Sequence, residues 1–99
     1  MCKNDFFYRI LTVVECETEV SKADILTSKA KTRDIVDARY LLIYFLNEVG
    51  LNASYIARCI SMTRQGVRQI LNTFDLRRQQ GGKIFEITFQ RIRKTIETN

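Results

Sequence analysis

Apolar positions recur along most of this chain at helical spacing. Phe6, Phe7, Ile10, Leu11, Val13 and Val14 form one wide apolar face. Asn4 or Asp5 ahead of them suits a helix N-cap, so a first helix is expected to run to about Glu19. Glu15, Glu17 and Glu19 close it. Their i, i+2 spacing spreads them round a helix, which points to a solvated acidic end rather than a metal or acid–base site. Ser21-Lys22-Ala23-Asp24 has the form of a capping box, with Asp in place of the usual Glu, and predicts a short helix through Ile25 and Leu26. Residues 27–33 are polar and basic with no apolar period. They are expected to form a loop presenting Lys29, Lys31 and Arg33 to phosphate or to a minor groove.

The most apolar helix is predicted over residues 33–49. Ile35, Val36, Ala38, Leu41, Leu42, Ile43, Phe45, Leu46 and Val49 cover more than half its circumference. A helix apolar so far round is surrounded by others, so it is expected at the centre of the core, with Tyr40 and Tyr44 at its edge. Gly50 stands where glycine ends helices. Asn52 caps a helix over residues 53–59, Ile60-Ser61-Met62 makes a turn, and Thr63 caps a helix from Arg64 to about Leu76. Such a helix-turn-helix needs a small residue where the helices touch, a compact one at the turn and a branched one between them. Ala57, Ser61 and Val67 take those places, and Ile56, Ile60, Ile70 and Leu71 fill other inward positions. Serine at the turn resists a positive φ more than glycine would.

Residues 77–82 (RRQQGG) read as a polar link. In the last segment Phe85, Ile87 and Phe89 alternate with polar residues, as in a strand, while Phe85, Phe89, Ile92 and Ile96 follow helical spacing. The helical pattern is longer and nothing else in the chain offers a strand partner, so a helix is expected, with Arg91, Arg93 and Lys94 mainly exposed. The expected fold class is all-α, a compact bundle of five to six helices in one domain around a helix-turn-helix core at residues 52–76. The absence of Pro and the presence of only four Gly in 99 residues agree with that.

Charge sharpens the picture. The net +5 is unevenly placed. Residues 1–50 carry seven Lys and Arg against eight Asp and Glu, a net −1; residues 51–99 carry nine against three, a net +6. A polyanion is the natural partner of the basic half. Arg64, Gln65, Arg68 and Gln69 point away from Val67, Ile70 and Leu71. Arg pairs bidentately with guanine and Gln with adenine, each worth about 1–3 kcal/mol of discrimination. Gly66 costs about 1 kcal/mol of helix propensity relative to Ala, which asks for a packing or contact reason.

Cys2, Cys16 and Cys59 are odd in number and far apart, and there is no His. Neither a zinc site nor a disulfide framework is expected; the thiols are taken as reduced and mostly buried. No nucleophile stands beside a base, so no catalytic role, metal or cofactor is expected. The N-terminal apolar run is broken by Arg9 and Glu15, with neither a signal-peptide core nor a span of about 18 apolar residues. The protein is expected in the cytoplasm, nucleoid-associated when bound to DNA.

RDIVDARYLLIYFLNEVG (residues 33–50) resembles the helix that opens the C-terminal DNA-binding domain of the bacterial replication initiator DnaA. The Ala38-Arg39 pair, Tyr44 and the Asn-Glu before the turn carry the likeness. VSKADILTSKAKTRD is similar to that domain's short helix and basic loop, and KIFEITFQRIRKTIE to its closing helix. The resemblance covers about residues 8–96 and implies the all-helical, Trp-repressor-like fold. It also implies a minor-groove contact from Lys31, phosphate binding by Arg39, base contacts from Arg64 and Gln65, and Thr63 close to phosphate. The family's Gly-Gly-Arg-Asp-His-Thr-Thr-Val run is replaced by SMTRQGV, one residue shorter, which looks more like a generic transcription-factor motif. No G-x-x-x-x-G-K-[ST] is present to bind a nucleotide. With Met1 at its start, the chain reads as an independent small protein.

The function expected is sequence-specific binding of double-stranded DNA, as a regulator or an accessory of replication or of a mobile element. Arg64, Gln65, Arg68 and Gln69 would read bases. Lys29, Lys31, Arg33, Arg39, Arg58, Thr63 and Arg77 would hold backbone or minor groove. The alternative is a protein-interaction module on the same scaffold, with a protein partner or a homodimer, whose surface would include Phe6, Phe7 and Tyr8.

Overall fold

The computed structural model describes residues 3–27 and 32–98. Among these, six helices follow one another: α1 (Lys3–Thr18), α2 (Lys22–Leu26), α3 (Arg33–Glu48), α4 (Ala53–Cys59), α5 (Arg64–Gln80) and α6 (Gly82–Thr98). The all-α bundle expected from the apolar periodicity is the fold. α3 packs against each of the other five helices. Ala38, Leu41, Leu42, Ile43, Phe45 and Leu46 are buried along it, as its broad apolar arc requires. Around it lie Phe7, Ile10, Leu11 and Val14 of α1, Ile56 of α4, Val67 and Phe74 of α5, and Phe85, Phe89 and Ile92 of α6.

Local chemistry sets most helix ends. Ser21 Oγ accepts from the Asp24 amide at 3.2 Å, the serine half of the capping box. Asn52 Oδ1 accepts from the Tyr55 amide at 2.9 Å. Gly50 takes φ 103° after α3, and the Leu51 and Gly50 amides donate to the Leu46 and Asn47 carbonyls at 3.1 and 3.0 Å. That pair of bonds is a Schellman ending, and only glycine enters its left-handed position without strain.

Several expectations are corrected. Neither Asn4 nor Asp5 caps α1, because Lys3 is already helical; Asn4 Oδ1 instead accepts the Tyr55 hydroxyl of α4 at 2.6 Å. Glu15 is not merely solvated: its Oε2 accepts from the Lys22 amide at 2.9 Å, so one helix caps the next. Cys16 is exposed rather than buried, and Cys59 is half-buried. Of the aromatics named for an interaction surface, Phe7 is buried in the core, while Tyr8 is 61% exposed.

The largest correction concerns residues 77–82. They are not a link: α5 continues to Gln80, and α6 begins at Gly82. The arginine stems supply what the sequence lacks in apolar residues. Arg77 lies over the Tyr40 ring, 5.1 Å from its centroid. Arg78 lies 4.2 Å over Phe89 and grips Glu86 with two bonds of 2.6 and 2.8 Å. At Gly81 an added Cβ would fall 2.5 Å from the Phe85 Cβ, so glycine lets the two helices close. Phe85, Phe89 and Ile92 are buried while Ile87 is exposed, which settles the last segment as a helix.

Candidate nucleic-acid interface

The α4–α5 junction is built from two short-range devices. At the end of α4 the Ile60 amide donates to the Ile56 carbonyl at 3.1 Å and the Met62 amide to the Ala57 carbonyl at 3.0 Å. Ser61 between them takes φ 56°. This is the same 6→1 closure as after α3, with serine in the left-handed position. Then Thr63 starts α5, its Oγ1 accepting from the Gly66 amide at 3.0 Å. The reason for Gly66 is internal: an added Cβ would lie 3.1 Å from that Oγ1 and 3.3 Å from Met62 Cε. Ala57 and Val67 are buried between the two helices, with Ile56, Ile60 and Ile70 beside them. Leu71 is only half-buried.

With Val67, Ile70 and Phe74 turned inward, the helical period leaves Arg64, Gln65, Arg68 and Gln69 outward, and all four are exposed. Among the described residues none of these side chains has an ion pair or hydrogen-bond partner. Arg58, at the end of α4, is likewise exposed and unpaired among the described residues. Asn72 lies on the outward side of α5, one turn past Gln69 and Arg68. The 3.6-residue period that turns Gln65 and Gln69 outward turns it outward as well.

The other expected cations divide differently. Arg39 is buried, at 8% exposure. Its Nε donates to the Ile25 carbonyl at 3.0 Å, and its Nη2 to the Asp24 and Thr27 carbonyls. It therefore closes the C-terminal end of α2, in place of the phosphate-facing role expected for it. Burial pulls its pKa below the ordinary arginine value. Its position inside the apolar arc of α3, between Ala38 and Leu42, was the available signal. Arg77 is turned inward to Asp37, with Nε and Nη2 both 2.7 Å from Oδ1, which corrects its place as a phosphate anchor. Arg33 is the first residue of α3, its side chain largely exposed and 4.0 Å from Asp37. Lys29 and Lys31 lie outside the described residues.

Two further arginines are held within the fold. Arg93 lies 4.8 Å over Phe89 and donates to the Tyr44 hydroxyl at 3.3 Å. Burial, with a hydrogen bond to Glu48 after it, raises the Tyr44 pKa. The Glu86 hydrogen bond raises that of Arg78, and Arg78, followed by Gln90, holds Glu86 down to about 2. Among the described residues no group of three or more Cys, Asp or Glu is placed to hold a metal ion. No helix there is long and apolar enough to cross a membrane. Comparison with protein families, with curated proteins and with solved structures finds no match for this chain.

Proposed function

We propose that the protein binds double-stranded DNA in a sequence-dependent way, with α5 entering the major groove. The observation that carries this reading is a contrast among the arginines. Arg39, Arg77, Arg78 and Arg93 each have an internal partner. Arg64 and Arg68, with Gln65 and Gln69, stand exposed on the first two turns of α5. Arg64 and Arg68 are also four apart, where like charges cost a helix a few tenths of a kcal/mol, about 0.2–0.5. A polyanion relieves that repulsion.

Arg64 and Arg68 would meet guanine, and Gln65 and Gln69 adenine. Thr63 and Arg58 would meet phosphates, with Arg33 a further candidate for the backbone. The resemblance to the DnaA C-terminal domain supports the same reading, as a small regulator or a replication or mobile-element accessory without ATPase. Arg39 and Arg77 shape the scaffold and are not assigned contacts.

Titration of labelled duplex pools by fluorescence anisotropy at low salt tests the proposal. Binding that weakens steeply with salt is expected, with Gln65→Ala relaxing sequence preference and Arg58→Ala weakening all duplexes alike. Absence of affinity for any duplex at low salt would overturn it. The competing reading, a protein partner, is favoured by Ile84 and Ile87, 81% and 53% exposed on α6. Salt-insensitive capture of a protein with no nucleic acid bound would select it.

A further inference from the structure

We infer that Asn72 is a base-reading side chain, and that α5 presents a ridge of carboxamides selecting duplexes with adenines about three base pairs apart. The inference rests on the duplex-binding reading above and specifies its target. Gln65, Gln69 and Asn72 stand at i, i+4 and i+7, which lie along one line of a helix. That line is opposite buried Val67, Ile70 and Phe74. All three carboxamides are exposed, and among the described residues none is hydrogen-bonded.

The chemistry and the spacing agree. A carboxamide offers one donor and one acceptor in a plane, the pattern that adenine N7 and N6 present in the major groove. From Gln65 to Asn72 the helix rises about 10.5 Å, close to the rise of three base pairs, about 3.4 Å each along the duplex axis. Being neutral, the three amides add little to phosphate attraction, so their effect is expressed as sequence preference. The Asn72 side chain does not serve the helix: asparagine is a weaker helix former than alanine, Lys, Gln or Arg, and its carboxamide has no hydrogen bond among the described residues. Arg68 lies beside the ridge and adds guanine preference between the adenine positions.

The full chain, its Asn72→Ala variant and its Gln65→Ala variant are each used to select duplexes from a random pool. Single-base-pair changes of the selected site are then titrated. The wild type is expected to select a site with adenines about three base pairs apart. Asn72→Ala is expected to lose one of these preferences and Gln65→Ala the other, each by about 5- to 150-fold. Affinity for unrelated duplexes should stay the same. Circular dichroism checks that the helices are intact, as an exposed substitution predicts. If Asn72→Ala selects the wild-type site with undiminished discrimination, the inference is overturned and the duplex-binding reading stands. If the wild type binds all duplexes equally, the inference falls together with the sequence dependence of the proposed function, and duplex binding alone stands. If the wild type binds no duplex, both fall.

Discussion

Ser61 takes φ 56°, a left-handed conformation that costs an ordinary L-residue about 1–2 kcal/mol. Glycine there would avoid the strain, although it loses more freedom on folding. Ser61→Gly should therefore raise stability by a few tenths to about 1 kcal/mol, read as a higher urea midpoint at unchanged slope; a lower midpoint would contradict this account of the turn. Arg39 is the opposite case, a charged side chain that the fold depends on. Its guanidinium donates to the Ile25 and Thr27 carbonyls at the end of α2, and to that of Asp24, which also accepts from the Thr27 amide. Arg39→Met keeps most of the stem and removes the donors. It should lower stability by about 1–3 kcal/mol for the unpaired buried groups, measurable in the same titration.

At the scale of elements, α5 and α6 meet through an aromatic cluster edged by arginine. Tyr44 of α3 stacks on Phe74 at 4.2 Å and 14°, and Phe89 lies within 6 Å of both. Offset aromatic pairs of this kind add about 0.5–1.5 kcal/mol each beyond burial. The Arg78–Glu86 pair ties the rim. Because Glu86 is held at about 2, below the ordinary 4.5, its contribution is fully present above pH about 4.5 and is lost as pH falls toward 2. The melting-temperature difference between wild type and Glu86→Gln should therefore shrink between pH 5 and pH 2; a pH-independent difference would remove the carboxylate from the account. This junction was also the least legible element. RRQQGG has no apolar period, yet Arg77 and Arg78 bury their stems and Gly81 admits Phe85. Polar letters concealed a packed turn of helix.

For the whole molecule, the basic second half counts only through the charges the fold leaves outward. The slope of log affinity against log salt measures how many phosphates are neutralised, about 0.9 per contact. Arg58→Ala should reduce that slope by about one, whereas Arg77→Met, which loses a partner of Asp37, should lower stability and leave the slope unchanged. Equal slope changes from both would mean that Arg77 exchanges Asp37 for phosphate. The chain's own letters determined the all-α class, the Ser21, Asn52 and Thr63 caps, the turn at Ser61 and the outward face of α5. All follow from interactions within a few residues, where the 3.6-residue period and the chemistry of caps decide. Which arginines are available was decided by tertiary structure. Arg39 finds the Ile25 carbonyl 14 residues away, Arg77 finds Asp37 at 40, and Arg93 finds Tyr44 at 49. A local pattern tells which way a side chain leaves its own helix, but its partner is supplied by another helix that only packing brings near.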